Sequence, residues 1–169
     1  RRGGGEYGRR KRMKNYVLIG MPSCGKTTLG LLIAKKTGRE FVDTDKLVEQ
    51  ADGRPIPEIF AEEGESSFRE KEREQVKIAS QKRNAVISCG GGAVMDERNV
   101  ERLKRNGFFV LIKRSLGLLS TEGRPLSKDE QTLKNMEKTR MPVYEKIADV
   151  TVINERNPEL VSDEIIGVY

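Results

Sequence analysis

Eight consecutive residues, Gly20-Met21-Pro22-Ser23-Cys24-Gly25-Lys26-Thr27, carry the most legible chemistry in this chain. They fit the pattern G-x-x-x-x-G-K-[ST], in which glycines let the backbone curl until successive N–H groups point inward at phosphate oxygens. A helix that follows adds the positive end of its dipole. In this reading Lys26 reaches the β and γ phosphates of ATP and the Thr27 hydroxyl ligates Mg2+, with Thr28 closing the nucleotide-binding run that begins at Gly20. Further on, Asp43 and Asp45 form a D-x-D pair at the end of a short apolar stretch. On a strand, two residues apart means the same side, so both acids can face the cradle. One would hold water on the metal while the other accepts a hydrogen bond from a substrate hydroxyl and takes its proton.

Other chemistries are excluded by composition. The chain has no histidine and two cysteines, Cys24 and Cys89, so neither a zinc cluster nor a Ser-His or Cys-His nucleophile system can be assembled. Both thiols are expected to be free. Cys24 sits beside Lys26 and a helix N-terminus, which predicts a reactive thiol whose oxidation or alkylation blocks ATP.

The elements that must position these residues follow from the apolar pattern. Asn15 to Gly20 reads as a buried strand running into the cradle. From Lys26 to Thr37 the residues Leu29, Leu32 and Ile33 recur at helical spacing, and Gly38 stands at the C-cap position. Phe41 to Asp45 is a second strand, followed by helices over Leu47 to Ala51, Ile56 to Glu63 and Ser66 to Lys82, the last with Phe68, Val76 and Ala79 facing inward. Ala85 to Cys89 is a third strand that runs directly into Gly90-Gly91-Gly92. A helix over Asp96 to Arg105, a strand over Phe108 to Ile112, a polar loop over Gly123 to Ser127 and a helix over Asp129 to Lys146 follow. Val150 to Ile153 supplies a last strand, and Pro158 opens a terminal helix. This alternation predicts an α/β fold, a five-stranded parallel sheet between two layers of helices, with ligands at the carboxyl ends of the strands.

With 169 residues, 36% apolar and 34% charged, the chain is expected to form one domain. The net charge of +6 comes largely from the first twelve residues, which hold six Lys/Arg against the single acid Glu6; the remainder carries 26 bases and 25 acids. Residues 1–12 are therefore read as a basic tail or cloning remnant ahead of a domain spanning 13–169, and not as a nucleic-acid-binding module. No apolar run approaches the roughly 20 residues that cross a bilayer. A cytoplasmic monomer without membrane or nucleic-acid partners is expected.

The cradle is shared by many nucleotide-binding proteins, so the acceptor must be read elsewhere. The chain lacks the N-K-x-D motif of GTPases, and its third strand ends in three glycines instead of the Asp-Glu of motor ATPases. The cradle, Asp43-x-Asp45, Phe68-Arg69-Glu70-x-Glu72, Gly90-Gly91-Gly92, Arg124-Pro125-Leu126 and Arg140-x-x-x-Tyr144, in this order, resemble the shikimate kinases from about Met13 to the end. The resemblance implies a P-loop kinase fold and transfer of the ATP γ-phosphoryl group to the 3-hydroxyl of shikimate. It implies that Asp45, Arg69, Arg140 and Gly90, Gly91 and Gly92 hold shikimate, and that Lys26, Asp45 and Arg124 carry the chemistry. Arg124 then belongs to a lid over the nucleotide, Arg156 and Pro158 lie against adenine, and Asp43 and Ser88 reach Mg2+ through water. A carboxylate with several hydroxyls suits two guanidinium forks, an acid and open backbone. Two features depart from the family pattern: Ser23 stands where glycine is usual, and the stretch from Leu111 to Arg124 is short, with no basic residue just before the lid. The alternatives are a kinase of the same build acting on gluconate, and a non-catalytic nucleotide- or nucleic-acid-binding protein.

Overall fold

The structure, a computed structural model, describes residues 14–118 and 130–169. Five parallel strands, β1 (Asn15–Ile19), β2 (Glu40–Asp43), β3 (Ala85–Ser88), β4 (Gly107–Lys113) and β5 (Val150–Ile153), form one sheet in the order β2-β3-β1-β4-β5. Among the described residues six α-helices connect and cover them: α1 (Lys26–Thr37), α2 (Thr44–Asp52), α3 (Ile56–Ser80), α4 (Glu97–Lys104), α5 (Glu130–Ile147) and α6 (Pro158–Gly167). The expected three-layer α/β/α arrangement is thus present. The connection from β1 leads to β2 on one side of the sheet and that from β3 leads to β4 on the other, so a crevice opens between the carboxyl ends of β1 and β3.

The strands read as continuous apolar runs because both sheet faces are covered. Side-chain alternation sends Val17 and Ile19 to one face and Tyr16 and Leu18 to the other. On the first face they join Ile87, Phe109 and Leu111 under Val76 and Ala79 of α3, Leu103 of α4 and Leu133 and Tyr144 of α5. On the second, Val86, Val110, Ile112 and Val152 meet Leu29 and Ile33 of α1 and Val161 and Ile165 of α6. A smaller cluster of Val48, Ile59 and Phe68 joins α2 to α3.

Two boundaries differ from the sequence reading in ways that matter. The helices expected over 56–63 and 66–82 run on as one element, broken at Gly64, whose φ of 84° and ψ of 174° leave the helical region. Glycine is the residue that tolerates this conformation. The second strand ends at Asp43, and Asp45 lies in the first turn of α2. Asp43 caps that helix, its Oδ1 accepting from the N–H groups of Asp45 at 2.9 Å and Lys46 at 3.3 Å. The shared orientation expected from strand geometry is therefore replaced by a helix cap that folds Asp45 back over Asp43. Among the described residues, no helix is long and apolar enough to cross a membrane. The basic tail, the Gly123 to Ser127 loop, Arg124 and Asp129 lie outside the described residues.

Candidate active site

Residues from the cradle, β2, α2, β3 and the segment after β4 enclose a cleft of about 300 Å³. Its walls hold Pro22, Ser23, Gly25, Lys26, Thr27 and Thr28 on one side and Asp43, Asp45, Ser88, Cys89, Gly90 and Gly91 on the other. The cradle is held open by unusual backbone: Gly20 at φ 150°, Ser23 at φ 63° and Gly25 at φ 102°. A side chain on Gly20 would also press its Cβ to 2.5 Å from the Ile112 carbonyl oxygen and 2.9 Å from Cys24 Sγ. Ser23 takes the left-handed conformation without being glycine, so the departure noted in the sequence carries a real backbone cost. Behind the loop, buried Asn154 donates from Nδ2 to the Cys24 carbonyl at 2.7 Å and tethers the cradle to the end of β5.

Two features make this loop an anion site. Helix α1 starts with Gly25 at its N-cap, with no side-chain cap and no acid in its first turn, so its leading N–H groups are not taken by a side-chain cap. That is where a phosphate gains most from the helix terminus. The buried Lys26 ammonium lies under the same loop, donating to the Gly20 and Met21 carbonyls at 2.8 and 2.9 Å, with Cys24 Sγ at 3.6 Å. Cys24 itself is 1% exposed. The reactive thiol expected from sequence is therefore sheltered, because a reagent must first open the loop to reach it. Cys89 is equally buried, and loss of hydration pushes its thiol well above the ordinary range, keeping it neutral.

Across the cleft, the glycine triplet is explained by space. None of the three has a positive φ. A Cβ on Gly90 would collide with Asp45 Oδ1, one on Gly91 would approach Arg140 Nη1 to 3.0 Å, and one on Gly92 would sit 2.5 Å from Arg69 Nη2. Each glycine thus makes room for one of the three side chains that the resemblance assigns to the acceptor. The loop was expected to expose its backbone to a ligand; its first use is to let these side chains converge. The Gly90 N–H donates to buried Thr44 Oγ1 at 3.0 Å, and Tyr144, four residues after Arg140 on α5, donates its hydroxyl to the Gly91 carbonyl. Burial pushes the Tyr144 phenol up, so it remains a donor.

The electrostatics of this half are strongly coupled. Arg69 donates from Nη1 to both oxygens of Glu72, at 2.9 Å to Oε1 and 3.1 Å to Oε2, while its Nη2 lies 3.4 Å from Glu65 Oε1. Glu72 is 1% exposed, and burial pushes its carboxyl up to about 7 against the pull of Arg69 and Arg140. Asp45 is pushed up to about 6, first by desolvation and then by Asp43, with Lys26 and Arg69 pulling it down. A carboxylate of this kind is ionised at neutral pH yet basic enough to receive a proton.

The residues expected at adenine, and not at the phosphates, lie outside this cleft. Arg156 is exposed and paired with Glu164 on α6, and Pro158 is the first residue of that helix. The reading from sequence quoted Glu72 and Tyr144 within motifs but gave them no task; their signals were the i,i+3 spacing from Arg69 and the i,i+4 spacing from Arg140. Asn154 and Arg114, which also lines the cleft, carried no such signal.

Comparison with known proteins agrees with this geometry. The family model described as shikimate kinase matches residues 22–169. A shikimate kinase of Thermodesulfovibrio yellowstonii is 42% identical over 166 residues, covering 93% of this chain and 95% of the relative. Among solved structures, the shikimate kinase of Acinetobacter baumannii in complex with shikimate superimposes with a TM-score of 0.88 at 32% identity, covering 92% of both chains. That of Aquifex aeolicus gives 0.80 at 35% identity, over 90% of this chain and 94% of the other. A phosphate cradle facing two arginines and an acid around a glycine triplet, together with these matches over nearly the whole length, places this chain in the shikimate kinase family.

Proposed function

We infer that this chain transfers the γ-phosphoryl group of ATP to the 3-hydroxyl of shikimate, giving shikimate 3-phosphate and ADP. The observation that carries this reading is the convergence of Asp45, Arg69 and Arg140 on Gly90, Gly91 and Gly92, directly across from the Lys26 cradle. Arg69 and Arg140 take the acceptor carboxylate, leaving its hydroxyl face toward Asp45 and the phosphates. The hydroxyl oxygen attacks the γ-phosphorus, the bond to the β–γ bridging oxygen breaks with its electron pair leaving on ADP, and the hydroxyl proton passes to the Asp45 carboxylate. Lys26 exchanges the loop carbonyls for phosphate oxygens and holds the transferring group in line. The work is positioning and charge neutralisation, as phosphoryl transfer requires. Arg124, outside the described residues, is the further cation we assign to the phosphoryl group.

The donor set suits Mg2+. Thr27, Asp43 and Ser88 line the same cleft, and Asp43 and Ser88 are register partners at the carboxyl ends of adjacent strands. Among the described residues no group of three or more acidic, Cys or His side chains could hold a metal by itself. One hydroxyl bound directly, with a carboxylate and a second hydroxyl acting through water, is the arrangement that Mg2+, which keeps its waters and shares nucleotide phosphates, accepts. When bound it neutralises charge on the β and γ phosphates. Thr28 and the cradle backbone from Gly20 to Gly25 complete the nucleotide contacts in this proposal. We further propose a monomer of one domain over 13–169 that acts on a small molecule and not on nucleic acid.

The test is ADP release from Mg-ATP with shikimate, with gluconate and without acceptor, for wild type and Asp45→Asn. Release that depends on shikimate and falls about 10²–10⁴-fold in the variant is expected. Release with gluconate in preference to shikimate would overturn the acceptor assignment.

A further inference from the structure

The segment after β4 brings a cation to the cleft that neither the cradle motif nor the acceptor cluster accounts for. Strand β4 lies beside β1 with Leu18 opposite Val110 and Ile19 opposite Leu111, so both chains leave the sheet side by side, β1 into the cradle and β4 into Lys113-Arg114-Ser115. Lys113 is not among the residues lining the phosphate cleft; it is paired with Glu145 at 2.8 Å and lines, with Arg114, an adjoining cavity. Arg114 lines the phosphate cleft with Ser23, Gly25 and Lys26, and also lines that adjoining cavity with Ser115, Ile153 and Glu155.

Arg114 has no ion-pair partner within 4 Å among the described residues, and its Nε is shut off from solvent with no acceptor. The nearby acid, Glu155, feels the charge of Arg114 but is not paired with it within 4 Å; its Oε1 accepts from the Ser115 N–H at 2.8 Å and from the Ser115 hydroxyl. A guanidinium carries five donors in a planar fork that matches phosphate oxygens. On the acceptor side, by contrast, Arg69 is committed to Glu72. Arg114 also stands on the β4 and β5 side of the cradle, away from Asp45, Arg69 and the glycines, which enter from the β2 and β3 side.

We propose that Arg114 is a nucleotide-binding residue of this chain, its guanidinium gripping non-bridging oxygens of the ATP polyphosphate from the β4 side of the cradle. The inference rests on the cradle's being the nucleotide site and adds a ligand that the loop motif does not contain. It makes Arg114 responsible for ground-state binding of phosphate, so its loss acts on nucleotide affinity and leaves acceptor affinity alone.

The experiment is titration calorimetry of ADP and of shikimate against wild type, Arg114→Ala and Arg114→Lys, with inorganic tripolyphosphate and adenosine each tested as competitive inhibitors of the kinase reaction. Thermal melts confirm that each variant is folded, and the lysine variant keeps the test in force if the alanine variant does not fold. The expected result is ADP affinity about tenfold lower in Arg114→Ala, with an intermediate loss in Arg114→Lys, a parallel loss of tripolyphosphate inhibition, and shikimate affinity within about twofold of wild type. ADP and tripolyphosphate binding unchanged in a folded variant, or a loss confined to adenosine, overturns the assignment of Arg114 alone. A wild-type protein that binds no ADP overturns the nucleotide site and this inference with it.

Discussion

On the nucleotide side of the cleft, eight neighbouring residues deliver backbone N–H groups, one helix terminus and one ammonium, all within a single turn of chain between β1 and α1. On the acceptor side, Asp45 comes from α2, Arg69 and Glu72 from α3 and Arg140 from α5, and they meet only because three glycines lack side chains. The first half is robust to its surroundings because its geometry is local and mostly made of main chain. The second depends on the packing of three helices and on charges that shift one another. A phosphate is the same in every nucleotide, whereas an acceptor must be chosen, and choice requires side chains from several directions.

The largest effect should come from the local half. Lys26→Met removes the buried ammonium and should lower kcat about 10³-fold, read by steady-state ADP release, while shikimate affinity by calorimetry stays within a few-fold. A comparable loss of shikimate affinity would show that the two halves are not separable.

Gly92→Ala is the corresponding break in the distributed half. The new methyl group would lie 2.5 Å from Arg69 Nη2 and displace the fork. A misplacement of this size should reduce kcat/KM for shikimate about 10²-fold with KM for ATP nearly unchanged. Equal losses in both substrates would count against the division.

The pH response should also be confined to the acceptor half. Activity requires ionised Asp45, so kcat/KM for shikimate should fall as pH drops through about 6. Stability moves the other way. Asp45 and Glu72 both have raised folded-state values, about 6 and about 7, so the folded state holds their protons more tightly than the unfolded chain. Their stabilising contribution is present at low pH, below the unfolded carboxyl range, and is lost as pH rises through 6 to 7. Thermal melts should therefore show Asp45→Asn gaining a few degrees over wild type at pH 8 and less at pH 5.

The smallest effect sharpens the nucleotide side. Ser23 holds φ 63° without being glycine, and Ser23→Gly should relieve that conformation at the expense of a more flexible unfolded chain, a net gain below about 1 kcal/mol in denaturant melts. A clear destabilisation would mean that the serine hydroxyl contributes more than its backbone costs.

The sequence alone determined the sheet and its helices, because strands buried on both faces read as apolar runs such as Phe-Phe-Val-Leu-Ile and helices as periodic ones. It also determined the cradle, since a loop of consecutive residues carries its geometry in its own glycines and lysine. The acceptor residues were legible only as scattered motifs read through a family resemblance, and Asp45 was placed on a strand because a two-residue period looks the same whether a strand continues or a helix cap begins. What tertiary structure decided was convergence: that Glu72 holds Arg69, that Tyr144 ties α5 to Gly91, that Asn154 braces the loop and that Arg114 emerges beside it. These residues are far apart in the chain and typical of their helices or strand ends, and their roles come from distances set by the packing of layers, which spacing along a sequence does not encode.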